Sequence, residues 1–328
     1  MKTESYKKIL VLRFSSIGDI VLTSPVLRVM KQQMPQSGIH FVCKEVFADT
    51  LKHNPHVDRL YTFKRDIEEL WPELLREKYD IIIDLHNNLR SRLVKNKLGV
   101  KTMHFPKINW QKFVAVNFKK ISVLPAVHIV ERYFQAVAKL GLKPDGKGLE
   151  YFIDTSDAVD MASMLAQTGQ QKFIALVLGG SYATKQIPLE KLAEICALAK
   201  LPLVLLGDKN DAILSAELHR RYPHTINLCG SLTLNQSASV LQQAEWVISG
   251  DTGLMHIASA FQKKIISLWG NTIPEFGMSP YMPHPLNQLW QVKDLSCRPC
   301  SKLGYHACPL KHFNCMQQQD VSAIGTLL

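Results

Sequence analysis

Short apolar runs recur along this chain at the length of strands, and longer stretches of helical periodicity lie between them. The runs Ile9–Leu12, Ile39–Cys43, Ile81–Leu85, Phe173–Leu178, Leu203–Leu206, Trp246–Ser249 and Ile265–Leu268 are rich in Val, Ile and Leu. A strand that is apolar on both faces must be covered on both, which is the condition of a parallel sheet. Helical patterns at Ile20–Gln33, Ile67–Glu77, Ile129–Leu140, Leu189–Lys200 and Gln236–Gln243 supply that cover. The stretch 141–157, rich in Gly, Pro and Asp, breaks the alternation near the midpoint. A length of 328 residues suggests two domains of roughly 150 residues each. The expected fold is α/β: two facing Rossmann-like domains with parallel sheets, 1–155 and 156–328, and an interdomain cleft.

In such sheets ligands bind beyond the carboxyl ends of the strands, so the strand-to-helix turns are where function is sought. Ile9–Leu12 runs into Arg13, Phe14, Ser15, Ser16 and Gly18, and a helix is expected to open at Asp19. An acid at that turn, six residues after Arg13, suits proton transfer; it suits a helix N-cap as well. There is no G-x-G-x-x-G triplet and no P-loop pattern, so neither a dinucleotide site nor an NTPase is indicated.

Three further turns lie in the second half. Trp246–Ser249 leads into Gly250-Asp251-Thr252-Gly253-Leu254-Met255-His256, where a helix N-terminus offers amides and a positive dipole end to a phosphate. Thr252 adds a hydroxyl, Gly253 permits close approach, and His256 sits one turn into the helix. Phe173–Leu178 leads into Gly179-Gly180-Ser181-Tyr182-Ala183-Thr184-Lys185, whose lysine is a point charge for a diphosphate. Leu203–Leu206 leads into Gly207-Asp208, and an acid there can accept ribose hydroxyls. Each turn alone is ordinary; three at strand carboxyl ends of one domain point to a nucleotide site.

The stretches Arg13–Pro25, Asp84–Ser91 and Gly250–Ala258, with the cysteine-rich C-terminal segment, resemble glycosyltransferase family 9, the ADP-heptose:lipopolysaccharide heptosyltransferases. The likeness runs from about Lys8 to Cys315. It implies a GT-B fold with the acceptor held mainly by the first domain and ADP-heptose by the second, and transfer of heptose to the inner core of lipopolysaccharide with inversion. Carried over, Asp19 matches the general base. Arg13, with Ser16 beside it, stands where acceptor anions are met. Thr184 and Lys185 match the diphosphate-binding pair, and Asp251, Thr252, Gly253, Leu254 and His256 the donor loop. The ribose-binding acid is Asp208 or Asp211. The chemistry agrees: charge growing on the leaving diphosphate would be met by Lys185 and the amides at 252–253, while Asp19 takes the acceptor proton. No Asp-x-Asp occurs, which argues against a metal-chelating donor site, and no cofactor is expected for catalysis. Cys297, Cys300, Cys308 and Cys315 are spaced as a possible structural metal set; buried unligated thiols are the other reading.

Charge is unevenly placed. Residues 1–150 hold 26 Lys and Arg against 15 Asp and Glu, so this part carries the whole net charge of +11. No acid occurs between Asp84 and Glu131, a window with nine cations from Arg90 and Arg92 to Lys120. That field suits a polyanion, whether nucleic acid, an anionic membrane or a phosphorylated glycan, and Arg90 and Arg92 are expected to meet the acceptor. Within it, Trp110, Phe113, Val114, Phe118 and Ile121 share one helical face; packing on a core and lying on a membrane both produce such a stripe. Seven cysteines, an odd number, and no visible export signal argue against a disulfide framework. The protein is expected to be cytoplasmic and peripheral at the inner face of the inner membrane. Transfer of another sugar, transfer to a protein, and a non-catalytic polyanion-binding role are the competing functions. Nucleic acid is not expected as a partner, since a binding module has no use for a base at Asp19.

Overall fold

The computed structural model describes residues 6–327. The chain forms two compact units, Met1–Lys107 with Val127–Phe152, and Ile108–Ala126 with Ile153–Leu328. The segment 108–126, which the sequence places in a first domain ending at 155, packs with the second unit. The chain therefore passes between the units at three points.

The first unit opens with β1 (Lys8–Leu12), α1 (Ile17–Val21), α2 (Ser24–Gln33), β2 (Gly38–Lys44), β3 (Arg59–Phe63) and α3 (Trp71–Glu77). It continues with β4 (Ile81–Asp84), α4 (Leu89–Leu98) and β5 (Lys101–His104), and α6 (Ile129–Val137) closes it. Its five strands run in the order β3-β2-β1-β4-β5, all parallel. Leu10, Leu12, Val42, Tyr61 and Ile82 pack with Phe14, Phe63 and Leu74 on one face of this sheet. The expected helix Ile20–Gln33 is two helices, because Pro25 lacks an N–H and is tolerated only in the first turn of a new helix. Pro72 likewise starts α3 after a short 3-10 turn at Ile67–Leu70.

The second unit begins with α5 (Asn109–Phe118) and resumes with α7 (Met161–Leu165), β6 (Ile174–Val177), α8 (Leu189–Leu198), β7 (Leu203–Leu206), α9 (Ala212–Arg221) and β8 (Ile226–Asn227). Then follow α10 (Leu234–Gln243), β9 (Trp246–Gly250), α11 (Gly253–Ala260), β10 (Lys264–Trp269), β11 (Gln288–Gln291), α12 (Asn314–Gln317) and α13 (Ile324–Leu327). The order β11-β10-β9-β6-β7-β8 is again all parallel. Ile174, Leu176, Leu205, Ile248, Ile266 and Leu268 are fully buried, and the C-terminal Met316, Val321 and Ile324 close the core over α8.

Both sheets thus have the α/β, doubly wound arrangement the alternation implies. In each, the first strand sits inside the sheet and the chain winds outward in both directions, which leaves a switch point: β1/β4 in the first, β6/β9 in the second. No described helix is long and apolar enough to cross a membrane, and all seven cysteines are unbridged.

Candidate active site

At the β1/β4 switch point two loops are tied together by Arg13. Its guanidinium donates to Leu85 O (2.7 Å), beyond β4, and to Ser15 O (2.9 Å), and pairs with Asp19 Oδ1 at 2.5 Å. Helix α1 opens at Ser16, the N-cap, and not at Asp19 as the sequence suggests; Asp19 is the third residue of the first turn. From there its Oδ2 reaches back to accept from Ser16 N–H (3.3 Å) and Oγ (3.0 Å), the return half of a capping box. Oδ1, which meets only Arg13, keeps a lone pair for a further proton donor. Burial by itself would raise the Asp19 pKa. The Arg13 charge and the Ser16 bonds outweigh burial and hold the carboxyl below its ordinary range, so it is ionised at neutral pH.

At the end of β4 the fully buried Asp84 accepts from the N–H groups of His86 (3.0 Å) and Asn87 (2.6 Å) and pairs with Lys95 Nζ at 3.2 Å. His86 Nδ1 accepts from Phe14 N–H (3.2 Å), which places its proton on Nε2. Burial first, then the nearby Arg13 charge, lower its pKa to about 3, so it stays a neutral donor beside the Arg13–Asp19 pair. The Arg13 guanidinium also lies 5.9 Å from the ring centre of the buried Tyr133. His86 and Tyr133 were not singled out from the sequence. The rule that ligands sit beyond strand ends would have found His86; nothing local marks Tyr133, on α6. Arg90 and Arg92 are exposed on the first turn of α4.

At the β6/β9 switch point Lys185 Nζ, from the loop after β6, meets Asp251 Oδ2, after β9, at 2.6 Å. The buried Thr272, after β10, donates to the same oxygen at 2.9 Å. Thr252 caps α11, accepting from Met255 N–H (3.4 Å), and its hydroxyl contacts Ser249 Oγ at 3.0 Å. Gly253 and Leu254 form the partly exposed first turn, while His256 is buried at 2 % exposure. The buried Thr184 hydroxyl is engaged with the backbone of Tyr305, accepting from its N–H at 2.8 Å and donating to its carbonyl at 3.2 Å. The close approach in this turn belongs to Gly250: a Cβ there would run into the carbonyl oxygen of Lys185.

The two acids after β7 take different parts. Asp211 is buried and accepts from Asp208 N–H at 2.9 Å. Its Oδ2 lies where a Cβ on Gly179 or Gly207 would stand 2.5 or 2.6 Å away. Burial raises its pKa against that hydrogen bond. Asp211 therefore closes the β7 turn with its carboxylate lying against Gly179 of the β6 turn, and Asp208 is the exposed acid of the two.

The possible metal set of the C-terminal cysteines finds no support: among the described residues no group of three or more His, Cys, Asp and Glu side chains is placed to hold a metal ion. Burial pushes the Cys300 thiol up to about 11 and the Cys315 thiol up to about 12, so both carry their protons. The buried Arg298 organises this segment instead, donating to the carbonyls of Gly270 (2.6 Å), Thr272 (3.0 Å) and Val292 (2.6 Å).

Two doubly wound parallel units, each with a charged pair at its switch point, have the architecture of the GT-B class of glycosyltransferases. The sequence profile of glycosyltransferase family 9 (heptosyltransferase) matches residues 67–307. The chain belongs to this family. It is 27% identical over 301 residues to lipooligosaccharide heptosyltransferase 2 of Haemophilus ducreyi, covering 82% of this chain and 85% of that one. The fold is similar to that of a family 9 glycosyltransferase from Veillonella parvula (TM-score 0.72, 21% identity, 88% and 89% of the two chains). It is also similar to E. coli heptosyltransferase WaaC with ADP (TM-score 0.64, 20% identity, 86% and 92%). The profile match includes Lys185 and Asp251 but not Arg13 or Asp19.

Proposed function

We propose that the enzyme transfers heptose from ADP-heptose to the inner core of lipopolysaccharide, with Asp19 as general base and the β6/β9 turns as the donor site. The ionised, partly exposed Asp19 at a sheet switch point carries this reading: a carboxylate placed there is a proton acceptor held ready beside a ligand position. As the acceptor hydroxyl attacks the anomeric carbon, its proton passes to Asp19 while the bond from that carbon to the ADP oxygen breaks. A single displacement inverts the anomeric centre. Lys185 and the amides at 252–253 receive the charge that gathers on the departing diphosphate, and Asp208 accepts from the ribose.

Asp251 gives Lys185 a resting partner, so the ammonium is already aimed when diphosphate arrives; Thr272 then keeps one hydrogen bond on the carboxylate. The solved likeness of WaaC with ADP and the heptosyltransferase names of the relatives support the donor. Arg13, Arg90 and Arg92, with the Ser16 hydroxyl, are the acceptor-side groups, the arginines suited by charge to core carboxylates and phosphates, and the enzyme works in peripheral contact with the membrane that carries its acceptor.

The test is turnover of ADP-heptose with a Kdo-lipid A or heptosyl-Kdo acceptor, read as ADP release and product mass. Asp19→Asn is expected to keep ADP binding and lose about 10²–10⁴-fold in kcat. Full turnover in that variant would reduce Asp19 to a helix cap. ADP-heptose left intact by the wild type would remove the donor assignment, and with it the choice of this sugar over another.

A further inference from the structure

We infer that His86 is an acceptor-binding residue: its Nε2–H donates to an uncharged hydroxyl oxygen of the sugar that Asp19 deprotonates. The inference deepens the proposed function and rests on it for the identity of the acceptor.

The ring is held as a donor in one direction. Its Nδ1 accepts from Phe14 N–H at 3.2 Å, so a neutral imidazole carries its proton on Nε2. Among the described residues Nε2 meets no protein acceptor, and the side chain is partly exposed. A histidine that only fills a core hides both nitrogens. This one closes the inner nitrogen on the backbone and presents the outer one.

The support beneath the ring is fixed as well. Asp84 Oδ1 accepts from the N–H groups of His86 (3.0 Å) and Asn87 (2.6 Å), while Lys95 Nζ holds the other carboxylate oxygen at 3.2 Å. Asn87 then takes a left-handed conformation, φ 52°, which an Asn tolerates. The ring lies against Phe14, with centroids 5.1 Å apart. Arg13 Nη1 binds the carbonyl of Leu85, the residue before His86, and Nη2 of the same guanidinium meets Asp19. One rigid group therefore sets the position of His86 relative to the base. A side chain whose rotamer and backbone are both locked beside a reactive carboxylate is built to hold a ligand in register with it.

Charge decides which oxygen it reads. Arg13 after β1 and Lys107 after β5 oppose a positive ring, Asp19 on α1 and Asp84 on β4 favour one, and burial weighs most. The balance lowers the pKa to about 3, so the imidazole is uncharged wherever Asp19 is ionised and active. A neutral N–H suits a neutral sugar hydroxyl, and it is less costly to desolvate than a cation as the sugar closes over it. The acceptor's anions are left to the arginines.

The test binds deacylated, water-soluble Kdo-lipid A to the whole chain by calorimetry, with kcat and acceptor KM measured beside it. Two variants divide the ring's two nitrogens. His86→Asn keeps an acceptor for Phe14 N–H and loses the outer donor; His86→Gln brings an amide N–H to the outer position and gives up the Phe14 bond. His86→Asn is expected to weaken acceptor binding about 3–10-fold, the worth of one neutral hydrogen bond, alike at pH 6 and pH 8, with ADP binding unchanged. His86→Gln should recover most of that loss. The opposite order, with Asn binding like the wild type and Gln the weaker, would leave His86 a brace for Phe14 and overturn the inference. A loss seen at one of the two pH values and not at the other would overturn it too, since the ring would then be titrating. The expected order of affinities with no heptose transferred by the wild type would support the inference and strike the proposed function instead; equal affinities with normal transfer would strike the inference alone.

Discussion

Replacing Arg13 by Gln is expected to reverse the way Asp19 contributes to stability as pH changes. The two side chains meet at 2.5 Å and are only 11% and 22% exposed, so solvent screens them weakly. In the wild type the folded carboxyl lies below its unfolded value of about 3.9. Its stabilising contribution is present above that value and is lost as pH falls through the folded pKa. Without the guanidinium, burial, the largest influence on this group, is opposed only by the two Ser16 bonds, and the folded pKa moves above the unfolded one. The contribution is then complete below pH about 3.9 and lost as pH rises through the new folded pKa. Removing one partner of a buried pair costs about 3–5 kcal/mol near neutrality. Part of the total loss, from Arg13's bonds to Ser15 O and Leu85 O, is independent of pH. The remainder should shrink between pH 7 and pH 4 by about 1.4 kcal/mol for each unit the stranded carboxyl stands above pH 4. Urea unfolding of both proteins across that range measures it without adding salt, and the acid limb of kcat/KM should move up with the carboxyl. A destabilisation that is flat from pH 4 to 7, with an unmoved acid limb, would refute the reasoning.

Lys185→Ala is expected to lower kcat as well as donor affinity, since charge on the leaving group peaks in the transition state; an effect confined to donor KM in steady-state kinetics would leave Lys185 a ground-state contact. Neutralising Arg90 and Arg92 together should raise acceptor KM, leave ADP binding intact by calorimetry, and make acceptor binding less sensitive to salt. Unchanged acceptor KM would return these arginines to a solvated surface. Gly250→Ala forces the Lys185 carbonyl to move and is expected to cost about 1–3 kcal/mol and to weaken ADP binding. A variant that binds ADP like the wild type would show the loop absorbs the methyl group freely.

The strands that could be read from the sequence are the interior ones. β1, β2, β4, β6, β7, β9 and β10 have neighbours on both sides, and nearly unbroken apolar runs mark them. The strands missed are β3, β5, β8 and β11, the four sheet edges. Lys101-Thr102-Met103-His104 and Gln288-Leu289-Trp290-Gln291 carry the polar side chains an exposed edge tolerates or needs, so no apolar run announces them. The strand-end rule likewise led to Arg13, Asp19, Lys185 and Asp251, because each lies within a few residues of an interior strand. It did not lead to Tyr305, which holds Thr184 from 121 residues away. Nor did it separate Asp208 from Asp211: that distinction lies in two glycines, Gly179 and Gly207, brought together only by the pairing of β6 with β7.

The threefold passage of the chain between its units bears on how the molecule is made and cut. Helix α5 leaves the ribosome early, yet its buried residue Ala115 rests on Ile273 and Phe276, which are synthesised more than 150 residues later. During that interval its inward face has no seat, and the first unit must assemble around a loop that belongs elsewhere. A gene divided at the apparent midpoint would give an N-terminal fragment carrying a helix without its floor, and a C-terminal fragment with an uncovered floor. Supplying residues 108–126 to the C-terminal fragment, as a separate peptide or by circular permutation, is what would complete the second unit.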